Sequence, residues 1–165
     1  MNRTSTLSKS IALVFALCSY TASANSDNLK VAVFSDNPGT KKIVAGNYEK
    51  GLEEVSNASE SNEIAIATAN CVANIKLNQF EQAKSHCDQA VSLSEATGGR
   101  SRKDQYVKAV TYSNRAILHY LNNDRVAAID DLTDAMHIQE NDVTKHNLSV
   151  IQATVEQDST LVADD

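Results

Sequence analysis

The chain has 165 residues, the length of one domain, with 15 basic and 21 acidic side chains and a net charge of −6. An acidic surface repels phosphate backbones, and an aromatic content of 5% without Trp supplies no base-stacking platform, so no nucleic-acid partner is expected. The one basic cluster, Arg100, Arg102 and Lys103, reads as a solvated loop leading into a helix.

The chain opens with Arg3 and Lys9, an apolar run from Ile11 to Cys18, and then Ala22-Ser23-Ala24. A cationic start, a short apolar run and an A-x-A site predict a secretory signal peptide over residues 1–24, cleaved after Ala24. The run is far shorter than the roughly 20 apolar residues that cross a bilayer, so no stable membrane span is expected. Leu17 stands where a lipoprotein signal needs a small residue, which speaks against lipidation at Cys18. Cleavage removes Arg3 and Lys9 but no acidic residue, leaving a more acidic, exported chain in the periplasm or outside the cell. Cys71 and Cys87 then remain as a single pair in an oxidising compartment.

Residues 25–41 read as an N-terminal extended segment. Asn25 to Lys30 is polar, Val31-Ala-Val-Phe34 is a short extended stretch with no partner strand, and Asn37-Pro38-Gly39-Thr40 is a turn. Lys41 to Ala45 makes one or two helical turns, stopped by Gly46. Tyr48, Leu52 and Val55 recur at i, i+4 and i+7, predicting a helix from about Asn47 to Ser56. A polar connector leads to a helix from about Ser61 to Leu77. Asn78-Gln-Phe-Glu81 has the form of a capping box and predicts Asn78 as the N-cap of the next helix, which ends near Gly98-Gly99. A long helix from about Arg102 to Leu121 turns at Asn122-Asn123 into a partner over Asp124 to Ile138. Asn141 caps a last helix, from about Asp142 to Glu156, and residues 157–165 form an acidic, frayed tail. With no other period-2 pattern, the fold class is all-α.

Aligning Ala83 with Ala128 places Cys71 on Ala116, Ala90 on Ala135, Cys87 on Leu132 and Val91 on Met136. Antiparallel helices approach closely only where the side chains at the crossing are short. Gly46 to Leu52 echoes the second helix of an earlier unit, with Gly51 in the Ala83 position, and Asn147-Leu-Ser149 echoes Asn114-Arg-Ala116. This arrangement resembles the tetratricopeptide repeat family over roughly residues 42–156. The family pattern has a small residue within the first helix, an aromatic before the second and two small residues seven apart within it. Here these are Cys71, Phe80, Ala83 and Ala90, then Ala116, Arg125, Ala128 and Ala135. The family's proline at the repeat end is replaced by Glu95 and Glu140, and an insertion from Gly98 to Asp104 lengthens the period. The resemblance implies antiparallel hairpins stacked as a short right-handed superhelix.

In such a hairpin Cys71 and Cys87 lie on facing surfaces, either bonded or packed as two buried thiols. A bond would close a loop of about 15 residues, worth roughly 3 kcal/mol. His86 adjoins Cys87, but neighbours on a helix point about 100° apart and do not form a nucleophile–base pair. His86, His119, His137 and His146 show no i, i+3 or i+4 spacing, so no metal is expected. Asp130, Asp131 and Asp134 read as a solvated helix face. No phosphate-cradling loop, G-x-S-x-G segment or other cofactor signature occurs, so neither an enzyme nor a cofactor is expected.

What the resemblance implies about function is surface. The first helices of successive repeats would line a shallow groove for a protein or peptide partner, carried by Thr68, Val72 and Ile75, by Ser113, Ile117 and Tyr120, and by His146 and Val150. These positions lack the Lys/Asn set with which some family members clamp a terminal carboxylate, which favours a hydrophobic or extended peptide. Some of them, Val72 and Ile117 above all, are equally placed to be core or to lie beneath the N-terminal segment. Two full repeats make a small groove, and a homodimer stays open as a way to enlarge it. The competing expectation is a helical small-molecule or lipid-binding protein of the cell envelope.

Overall fold

The computed structural model describes residues 28–34, 37, 39–58 and 62–163, with side chains described as far as Gln157. The signal-type segment 1–24 and Pro38 of the expected turn lie outside the described residues. Among the described residues there are seven helices and no strand. They are α1 (Thr40–Val44), α2 (Tyr48–Ser56), α3 (Glu63–Lys76), α4 (Phe80–Ala96), α5 (Arg102–Leu121), α6 (Arg125–Ile138) and α7 (Asp142–Ala163).

One turn is used three times. Gly46, Asn78 and Asn123 take left-handed backbone (φ 80°, 57° and 62°) after α1, α3 and α5. In each turn that residue's N–H reaches back three residues, to Ile43, Ile75 or Tyr120. The following N–H reaches back five, to Lys42, Asn74 or His119. This is the Schellman pattern, which satisfies the last carbonyls of one helix and starts the next within three residues. Glycine, and asparagine next, tolerate the left-handed position because other side chains crowd the following carbonyl there. That chemistry explains why Asn78 is not the predicted N-cap: it closes α3, and Gln79 precedes α4 without a side-chain cap. The capping box lies instead at α5, where Ser101 and Asp104 bond reciprocally. Asn141 caps α7 as expected, accepting from the Thr144 amide at 3.0 Å. Nothing in the sequence after Glu156 breaks a helix, and α7 continues to Ala163 rather than fraying at 157.

The helices pack in chain order. α3 lies on α4 and α5 on α6 most extensively, α4 meets α5, α6 meets α7, and α3, α5 and α7 touch in succession. The small residues sit where the pairing argument needs them: Cys71, Ala83, Ala90, Ala116, Ala128 and Ala135 are all buried. Further up, Gly39 and Gly51 allow a backbone approach that no side chain would permit, since a Cβ on Gly39 would lie 2.3 Å from the Gly51 carbonyl oxygen. The main core gathers Cys71, Ile75, Cys87, Ile117, Leu118, Tyr120, Leu132 and Ile151. A second, smaller core joins Ile43 and Val55 to Ala69, Val72 and Ala73.

Candidate functional site

The segment Leu29–Phe34, which forms neither helix nor strand, runs across α7, α5 and α3, and side chains of the helices hold its backbone and that of Asn28. Asn147 accepts from the Lys30 amide at 2.8 Å and donates to the Lys30 carbonyl at 2.8 Å. Asn114 does the same for Ala32, accepting at 3.0 Å and donating at 2.8 Å. His146 Nε2 donates to the Asn28 carbonyl at 2.7 Å, and Thr40 Oγ1 donates to the Phe34 carbonyl at 2.9 Å. A carboxamide presents N–H donors and a carbonyl acceptor side by side, so it can pair with both the N–H and the C=O of one residue as a rung of a β-ladder does. The extended stretch therefore has partners without a second strand.

The two asparagines stand 33 residues apart in equivalent places on α5 and α7, and both are fully buried. Asn147 is held further by Ser113 Oγ, which accepts from its Nδ2 at 3.2 Å. The apolar side chains at alternate positions, Leu29, Val31 and Val33, face the cores. Leu29 is 5% exposed and belongs to the main core, Val31 packs against both cores, and Val33 packs against the smaller one.

The eight residues expected to line a groove are distributed as follows. Thr68 is buried with its hydroxyl on the Ile64 carbonyl at 2.7 Å. Val72 lies in the smaller core, and Ile75, Ile117 and Tyr120 in the main one with Leu29. Ser113 is buried against Asn147, His146 touches Asn28, and Val150 packs at the margin of the main core. The surface that the helices would otherwise present is thus covered by the chain's own N-terminal segment. Sequence reasoning missed Asn114 and Asn147 as binding groups, although their correspondence was visible. It also expected no Asn set; here the asparagines grip main-chain amides rather than a terminal carboxylate.

Elsewhere, Asp131 leaves the solvated face expected of the aspartate cluster. Arg115 donates to it through Nε at 2.8 Å and Nη2 at 2.7 Å, while Asp130 and Asp134 stay exposed. Cys71 and Cys87 stand at bonding distance, with sulfurs 2.02 Å and Cα atoms 4.8 Å apart, joining α3 to α4. Of the histidines, His86 is half-buried on α4 and His137 exposed on α6, while His119 lies 3.7 Å from Asp131. No group of three or more His, Cys, Asp or Glu among the described residues is placed to hold a metal ion. No helix among them is long and apolar enough to cross a membrane. A cavity of about 380 Å³ opens beside the end of the extended segment, walled by Val33, Phe34, Ile64, Ala65 and Val107, with Lys103 on its rim.

Fold and site together define an all-helical protein of sequentially packed hairpins that holds an extended stretch of its own chain. No family model, no curated protein and no solved structure matches the chain.

Proposed function

We propose that this is an exported helical-repeat module of the tetratricopeptide type, whose work is to bind an extended peptide or protein segment across α3, α5 and α7. The observation that carries the reading is the pair of buried asparagines, each gripping both the N–H and the C=O of one residue in an extended stretch. Buried carboxamides left without partners would be costly, and here the backbone of Lys30 and Ala32 satisfies both. The thrice-used hairpin turn and the buried small residues of α3 to α6 support the repeat assignment. The signal-type start and the Cys71–Cys87 pair support export, an oxidising compartment being where such a pair persists.

The test is selection from a random extended-peptide library on the purified mature chain, with an Asn114→Ala/Asn147→Ala chain as counter-target. Peptides that bind the parent and lose at least about tenfold on the double variant support the reading, a factor equivalent to about 1.4 kcal/mol. No enrichment, or binders indifferent to the two asparagines, would sink it. The apolar cavity beside Phe34 favours a second reading, a small amphipathic ligand seated near Lys103. Native mass spectrometry of the chain purified from its own envelope would show a retained small molecule if that reading holds.

A further inference from the structure

The held segment has a strict parity. The carbonyls of Asn28, Lys30, Ala32 and Phe34 accept, in that order, from His146, Asn147, Asn114 and Thr40. The N–H groups of Lys30 and Ala32 donate to the same two asparagines. Of the intervening residues, Leu29 enters the main core, and Val31 and Val33, partly buried, pack against the cores. An extended chain alternates its side chains between faces and its backbone groups between edges, so one edge serves recognition and one face serves burial. The Lys30 side chain is exposed and makes no demand on the site.

From this parity we infer that the site reads a ligand by register. It selects an extended segment with apolar side chains at three alternate positions and free backbone N–H groups at the two positions between them, and Asn28–Phe34 is the resident example that such a segment displaces. The inference rests on the peptide-binding reading above and specifies its ligand. Polarity is set as well: the apolar residue nearest the ligand's N-terminus takes the Leu29 place beside α5 and α7, and the chain runs on toward α1. The buried asparagines and the Ser113 contact hold the two grips in place, so a shifted register would put apolar side chains on the solvent face. Because the resident segment is tethered, it competes at an effective concentration of about millimolar, which weakens a free segment of micromolar intrinsic affinity by a factor on the order of 100 or more.

The experiment uses the full mature chain and a labelled heptapeptide with the sequence of residues 28–34. In the chain, Lys30→Pro with Ala32→Pro keeps an extended path but removes both N–H donors, which weakens the hold of the resident segment on the site. The heptapeptide is expected to bind this chain at least about 30-fold more tightly than the parent. A heptapeptide carrying the same two prolines, or Asp at the Leu29 and Val31 places, is expected to lose that binding. Equal binding of the altered peptides would overturn the register while leaving a peptide site intact. Absence of binding by every peptide would overturn both the register and the function proposed above.

A second measurement avoids any dependence on the folding of the proline variant. In the isotopically labelled parent, the Lys30 and Ala32 amides should exchange more slowly than those of Val31 and Val33. A large excess of unlabelled heptapeptide should remove that protection, whereas the double-proline peptide should not. Uniform exchange along the segment, or protection unmoved by the excess heptapeptide, would also overturn the inference.

Discussion

A connected polar set around Arg115 joins α4, α5 and α6. Its forked hydrogen bonds to Asp131 join α5 to α6, Asp88 of α4 lies 3.6 Å away, and the guanidinium stands 5.2 Å over the Tyr112 ring. The Asp131 bond raises the Arg115 pKa against the opposing effect of burial. Replacing Asp131 by Asn should cost about 1–3 kcal/mol in urea unfolding, because a charge-assisted fork is lost at a buried position. The same change at exposed Asp130 should lie within about 0.5 kcal/mol of the parent.

Tyr112 donates to Glu95, and burial first, then that hydrogen bond, pushes its phenol from the ordinary 10.0 up to about 12. The folded state thus favours the protonated phenol. The stability this contributes is whole below pH 10 and lost as pH rises through about 12. Phenolate absorbance should show one tyrosine titrating late, and Tyr112→Phe should abolish that late step.

Each hairpin as an element depends on its turn and its crossing. The left-handed positions should accept Gly and resist β-branched residues: Asn123→Gly is expected to be near neutral, and Asn123→Val to cost at least about 1 kcal/mol by thermal unfolding. The Cys71–Cys87 bond restrains one hairpin through a sequence separation of 16. Chain-entropy reasoning gives about 3 kcal/mol for a loop of roughly that length. Reduction, or Cys71→Ala with Cys87→Ala, should lower the urea midpoint accordingly, and an unchanged midpoint would show that the bond does not constrain the unfolded chain. Helix positions were readable from periodicity, and the small crossing residues from their alignment. The role of Asn78 was not, because one residue can either open a helix or close one. Only its left-handed backbone tells which.

At the scale of the whole molecule, the extended segment joins the two ends of the stack. It touches α7 through His146 and Asn147 and reaches α1 through Thr40. Leu29 is its largest anchor in the main core, so Leu29→Ala should cost about 2–3 kcal/mol and speed proteolysis within residues 28–34 relative to the helices. A variant with unchanged stability and an intact segment would show that the docking contributes nothing to the fold. The candidate site was half legible. His146 and the apolar positions of α3, α5 and α7 follow from helical spacing, but their occupant lies more than 80 positions from Asn114 and Asn147 along the chain.

Composition, periodicity and the aligned small residues determined an all-helical chain of paired helices, since those signals are local and each helix carries its own pattern. Local signals also marked Val31–Phe34 as extended, without assigning it a partner. Tertiary structure alone decided that buried carboxamides on two helices would stand in for the missing strand, that Asp131 would turn inward to Arg115, and that the expected lining would be covered. Those outcomes depend on groups that only the folded chain brings together: the correspondence of Asn114 and Asn147 could be aligned, but nothing local says which backbone they would grip.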